Sequence, residues 1–149
     1  MVDGFCLNRQ GAKEGIFRKS PMQEPDPELD AIAHLVIGSA TEVDRGLGPG
    51  FLESTYAKAL AVELRQRNVQ FLQEAPINLV YKGEAIGEGR IDLLVEDVLI
   101  VELKAVERLA PIHQARVMSY LKTSRKNLGL LINFNVEVLR DGIRRIILS

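Results

Sequence analysis

The stretch GRIDLLVEDVLIVELKA, residues 89–105, decides how the chain is read. Most of it is apolar and rich in the branched side chains of a buried strand pair, yet it carries Asp92, Glu102 and Lys104. Side chains alternate along a strand, so the length of the turn determines which of them share a face. A two-residue turn at Glu96 and Asp97 would set Val95 opposite Val98 and send Asp92 and Glu102 to opposite sides. A three-residue loop, Glu96 to Val98, instead pairs Val95 with Leu99 and Asp92 with Glu102. One face then reads Ile91, Leu93, Val95, Leu99, Val101 and Leu103, and the other Asp92, Leu94, Ile100, Glu102 and Lys104. Burying an unpaired carboxylate is costly, roughly several kcal/mol. The odd register, which separates every charge from the apolar set, is therefore the expected one.

Two carboxylates facing each other across adjacent strands repel, at a cost of roughly 0.2–1 kcal/mol. A bound cation removes that penalty, and an oxygen-only donor set suits hard ions such as Mg²⁺ or Mn²⁺. Lys104, on the same face, is placed to orient or deprotonate an attacking water and to neutralise charge building on a phosphate. On its own, an Asp followed by Glu-x-Lys is more often a solvated strand face whose lysine pairs a carboxylate.

Outward from this hairpin, the 149 residues suit one domain with its own core. A formal charge of -1 provides no global basic field, so nucleic-acid binding would need a local patch. Cys6, the single cysteine, excludes an internal disulfide and a cysteine-rich zinc site and suits a reducing, cytoplasmic setting. No run approaches the roughly 18 apolar residues of a membrane span, and the first residues lack the apolar core of a signal peptide. A soluble protein without a membrane partner is expected.

Residues 1–27, with Pro21, Pro25 and Pro27, have neither helical nor strand period and are expected to form a flexible tail; Met22 is a candidate native start. The domain should occupy 28–149. Leu29, Ile32, Ala33, Val36, Ile37, Ala40 and Val43 recur at helical spacing over 28–44, RGLGPG (45–50) makes a turn, and 51–67 resumes the helical period, which together predict a helical hairpin. Three antiparallel strands follow over 69–83, 84–97 and 98–106. A helix opens at Pro111 and runs to about Lys122, and two last strands cover 127–139 and 141–149. The order is α-α-β-β-β-α-β-β.

GPGFLESTY (48–56) holds Gly50, Glu53 and Tyr56 in a G-x-x-E-x-x-Y pattern. Together with 89–122 and 128–146 it makes the chain resemble the GxxExxY family, from about Glu28 to Ile147. That resemblance implies an α/β (α+β) PD-(D/E)XK nuclease-like fold, a restriction-endonuclease-like core with a mixed central sheet flanked by helices. It implies Asp92, Glu102, Lys104 and Glu53 as catalytic residues, with Asp92, Glu102 and Glu53 holding the metal. Ile91 stands where the proline that names the superfamily would be. Relatives usually carry a glutamine and, four residues later, a tyrosine in the helix after the E-x-K strand; here Arg116 and Tyr120 stand there. Arginine grips phosphate but cannot accept a hydrogen bond, which implies altered substrate binding or weakened catalysis.

Other positions carry competing readings. Glu53 lies in the first turn of its helix, where the dipole favours an acid whatever the function. Tyr56, one turn on, reads as structural. His113, Arg116 and Tyr120 share one face of the later helix as a candidate substrate-binding stripe, with Ile112, Val117 and Leu121 turned to the sheet; for His113 a plain polar face is the stronger reading. His34 reads as a satisfied structural histidine. Lys122, Arg125 and Lys126 at a helix end, and Arg140, Arg144 and Arg145 near the last strand, suggest a nucleic-acid patch, though cations at a helix C-terminus are favoured without any ligand. The leading expectation is a Mg²⁺- or Mn²⁺-dependent nuclease hydrolysing phosphodiesters, of DNA before RNA. The rival is a nuclease-fold module without turnover that binds nucleic acid or a protein partner, and a homodimer is equally open.

Overall fold

The computed structural model describes residues 26–148. The expected tail, with Cys6 and Met22, lies outside the described residues as far as residue 25. Asp26 opens the first helix by accepting the Glu28 N–H at 3.1 Å, and Pro27 fills a first-turn position that needs no donor. Helix α1 (Pro27–Leu47) therefore starts one residue early and runs beyond the expected Asp44. Its Leu29, Ala33, Val36, Ala40 and Val43 are buried at three- and four-residue spacing. They pack in one cluster with Tyr56, Leu60 and Leu64 of α2 (Glu53–Gln66), as a helical hairpin should.

The remaining elements are β1 (Phe71–Tyr81), β2 (Glu84–Val95), β3 (Leu99–Lys104), α3 (Pro111–Ser124), β4 (Leu128–Asn133), a 3-10 turn (Leu139–Gly142) and β5 (Ile143–Ile147). The helix and strand order is the expected one. The five strands lie in sequence order, antiparallel except for the parallel pair β3–β4. A parallel pair needs a long crossover, and α3 supplies it. The result is a mixed sheet covered by α1 and α2 on one face and by α3 on the other, consistent with a restriction-endonuclease-like core. No helix among the described residues is long and apolar enough to cross a membrane.

The hairpin takes the odd register: Val95 pairs with Leu99, Leu94 with Ile100 and Leu93 with Val101. Glu96 (φ 52°) and Asp97 (φ 60°) turn the three-residue loop, and the Val98 N–H closes it on the Val95 carbonyl at 3.0 Å. Leu93, Val95, Leu99, Val101 and Leu103 are buried together under α1 and α2. Leu94 and Ile100 turn instead to Val117 and Leu121 of α3.

Two expectations are corrected. Ile91 does not share the face of Leu93; it packs with Ala75, Ile77 and Ile100 on the α3 side, because β2 passes through a break at Asp92 that parity does not cross. The strand expected over 127–139 ends at Asn133. Its buried amide bonds both backbone groups of Val106, at 3.0 and 2.9 Å, and takes the Asn135 N–H at 3.2 Å, so the chain turns away there.

Helix α3 lies so close to the sheet that a Cβ built at Gly129 of β4 would stand 2.6 Å from Val117 Cγ1. Gly129→Ala is expected to destabilise the fold by about 1–3 kcal/mol, and adding Val117→Ala should recover part of the loss. Urea unfolding of both variants checks this; an unchanged midpoint for the single variant would contradict it.

Candidate active site

Asp92 sits where the sheet is interrupted on both sides. The β1–β2 ladder pairs Gln73 with Leu93 and Ala75 with Ile91 but steps over Glu74 and Asp92, and Glu74 takes a left-handed φ of 55°. On the other side the β2–β3 ladder stops at Leu93 and Val101. Side chains replace the missing backbone bonds. Glu102 Oε2 accepts the Asp92 N–H at 2.9 Å, and Asp92 Oδ2 accepts the Leu103 N–H at 2.8 Å. Each carboxylate thus satisfies the backbone of the opposite strand, by the charge-assisted hydrogen bond that an ionised acceptor makes.

This arrangement spends one oxygen of each acid. Among the described residues, Asp92 Oδ1 and Glu102 Oε1 accept no hydrogen bond. Glu102 is only 4% exposed. Burial, with the charge of Asp92 added, pushes its carboxyl up from 4.5 to about 7. Burial also raises Asp92, and Glu53 adds to the rise, while the bond from Leu103 works against it. The raised proton affinity means that neighbouring cations only partly offset the charge of the pair, and carboxylate oxygens are the donors that a hard divalent cation takes.

Lys104, at the end of β3, points its Nζ to within 3.7 Å of Glu53 Oε2, and its charge lowers the proton affinity of both Asp92 and Glu102. Glu53, first residue of α2, is half exposed. The four residues expected as catalytic therefore converge. As a ligand set they are incomplete: among the described residues no three acidic, histidine or cysteine side chains gather closely enough to hold an ion, because Glu53 reaches towards Lys104 rather than the acid pair.

The α3 residues divide. Arg116 is exposed, and its charge acts on Glu102. Tyr120 lies against β2, where a Cβ at Gly89 would stand 2.9 Å from its hydroxyl, so the glycine makes room for the ring. His113 is committed locally: its Nδ1 accepts the Ala110 N–H at 2.9 Å, at the start of the helix. Ile112, expected against the sheet, is 62% exposed, since Val117 and Leu121 carry the helix contact and Met118 and Tyr120 flank them. His34 bonds its own helix, with Nδ1 at 3.0 Å from the Asp30 carbonyl. Of the cationic clusters, Lys126 is tied to the Asp97 carbonyl at 2.8 Å and Arg145 to Asp30 at 2.8 Å.

Two residues support the site: Tyr56, expected to be structural, and Asn133, which carried little signal. Tyr56 is fully buried, stacked on Phe134 with centroids 4.4 Å apart; its hydroxyl donates to the Gly48 carbonyl at 2.5 Å and accepts the Phe51 N–H at 3.2 Å. It thereby fixes the loop that leads into Glu53. Asn133 was hidden as the polar end of an apolar strand, yet its amide clamps the chain two residues after Lys104, and the Phe134 N–H holds the Lys104 carbonyl at 2.9 Å.

A family model described as the PD-(D/E)XK nuclease superfamily matches residues 30–146, most of the chain, and the chain belongs to that superfamily. No curated protein matches the sequence.

The folded protein keeps a proton on Glu102 up to about pH 7, whereas the unfolded chain releases it near 4.5, so the charge costs stability as pH rises through that interval. Glu102→Gln keeps an acceptor for the Asp92 N–H and removes the charge. In EDTA it should match wild type near pH 4.5 and exceed it by about 1–3 kcal/mol at pH 8. Chemical unfolding at both pH values measures the difference; a gap that does not grow with pH would contradict the assignment.

Proposed function

We propose that this superfamily member is a nuclease that hydrolyses phosphodiesters of nucleic acid, DNA before RNA, at Asp92, Glu102 and Lys104, with Mg²⁺ or Mn²⁺ as cofactor. The observation that carries the reading is the reciprocal acid pair: a buried Glu102 and a half-buried Asp92, each with one oxygen spent on backbone and one left over, beside a lysine. When bound, a divalent ion supplies Lewis acidity at a phosphoryl oxygen and a lower pKa for a water. Asp92 and Glu102 would hold it, with Glu53 as a further or water-mediated ligand. Lys104 Nζ orients the attacking water and offsets charge gathering on the phosphate. Arg116 is placed to grip a neighbouring phosphate by paired N–H bonds, with Tyr120 beside it.

The preference for DNA rests on the resemblance to restriction endonucleases. The finer likeness to the GxxExxY group rests on Gly50, Glu53 and Tyr56, and it gains support from the way Tyr56 anchors the loop before Glu53. A cytoplasmic setting suits the single cysteine. One observation favours the alternative of a binding module without turnover: the exposed Arg116 already bears on Glu102 and competes there with a cation.

Cleavage of single-stranded, duplex and branched DNA in Mg²⁺ or Mn²⁺ tests the proposal. Asp92→Ala and Lys104→Ala should each lower the rate by about 100-fold or more. Activity that both variants retain in full would refute the assignment. Calorimetric titration separates the alternative: Mn²⁺ binding that Asp92→Ala abolishes supports the enzyme, and no binding at millimolar metal supports the module.

A further inference from the structure

Leu52 occupies the N-cap of α2, makes no capping hydrogen bond through its side chain, and is 75% exposed. Serine, threonine, aspartate or asparagine there would satisfy a free N–H and stabilise the helix. Leucine is therefore the poorer residue both for the helix and for contact with water. Phe51 beside it is 47% exposed, its ring edge-on to Tyr56 at 6.1 Å. The backbone that carries the pair is fixed, since the buried Tyr56 bonds the Gly48 carbonyl and the Phe51 N–H on either side of the turn. The next residue, Glu53, is the one that reaches Lys104.

On the other face of the sheet, α3 carries Arg116, whose charge acts on Glu102, and, one turn earlier, the exposed Ile112. The approach to Glu53 and Lys104 is thus bordered by two exposed apolar side chains, and a cation acts on the acid centre. Intact duplex offers such a border little, because its bases are stacked inward and its outer surface is sugar and phosphate. An unpaired strand has bare base faces to cover, and single-strand sites combine cations for the backbone with apolar or aromatic platforms for the bases. The overall charge of -1 also disfavours long duplex, whose binding draws on many phosphate contacts.

We propose that Phe51 and Leu52 form a platform for the base next to the phosphate at the acid centre, so that the site takes single-stranded or frayed nucleic acid in preference to intact duplex. The location of that phosphate rests on the nuclease reading above; the platform itself is testable without turnover. The full-length protein is titrated in EDTA against a fluorescein-labelled oligonucleotide, single-stranded and annealed, with anisotropy as readout, for wild type, Phe51→Ala and Leu52→Ser. Wild type should bind the single strand at least ten times more tightly. Each variant should lose roughly 5- to 100-fold of single-strand affinity, the loss of one stacked base, with duplex affinity unchanged. Leu52→Ser should fold with an equal or higher thermal midpoint, because serine caps α2.

Equal affinity for both forms in wild type, or an unchanged ratio in both variants, would overturn the platform. A parallel Mn²⁺ cleavage assay with Asp92→Ala separates the two ideas. Cleavage lost in Asp92→Ala but blind to strandedness keeps the nuclease and rejects the platform. Phe51-dependent strand preference without cleavage keeps the platform and rejects the nuclease. No binding to either form rejects the platform outright.

Discussion

Two carboxylates bonded to the backbone of each other's strand, Asp92 accepting the Leu103 N–H and Glu102 the Asp92 N–H, are the constraint around which the rest is arranged. An ordinary antiparallel ladder would satisfy these amides by carbonyls at no electrostatic cost. Here the sheet gives up the pairing on both sides of Asp92 and accepts two acids in a largely buried setting. Buried charges that are only partly paired are destabilising. The amide bonds and Lys104 offset part of that penalty, and the raised proton affinity of both acids is what is left of it. Such a local cost, in a strand otherwise suited to burial, supports the proposal that Asp92 and Glu102 form the reactive site.

The surrounding elements make that break rigid. Helices α1 and α2 bury the apolar face of β2 and β3 on one side, and α3 crosses over Gly129 on the other. Past the end of β3, Asn133 pins Val106 through two hydrogen bonds, so Lys104 emerges from a fixed point. Before α2, Tyr56 pins the turn through Gly48 and Phe51, so Glu53 arrives from the other direction at a fixed point too. Four ionisable side chains drawn from three elements, Glu53, Asp92, Glu102 and Lys104, thereby converge at the place where the sheet is open.

Much of this was legible because strand parity is a strict rule. Once Asp92 and Glu102 had to share a face, the three-residue loop followed, and with it the apolar set Leu93, Val95, Leu99, Val101 and Leu103. Parity also shows where legibility ends. The rule presumes an unbroken strand, and the left-handed Glu74, a non-glycine residue with no local signal for it, breaks β1 opposite Asp92, so Ile91 lands on the other face. The apolar run over 127–139 could not reveal that Asn133 would leave the sheet to bond Val106, a tertiary contact 27 residues away in sequence. On α3 the positions of Val117 and Leu121 were readable from helical period, but Ile112 was not, because the first turn overhangs the sheet rather than resting on it.

In the proposed reading, Asp92 Oδ1 and Glu102 Oε1 are the open half of a cation site. Its most direct test is a crystal structure of the protein soaked in Mn²⁺ above pH 7, with data collected to reveal anomalous scattering. A single anomalous peak is expected within ligand distance of both oxygens, with the bonds to the Asp92 and Leu103 N–H groups retained. Two carboxylates left as they are, with no peak between them at millimolar Mn²⁺, would contradict it.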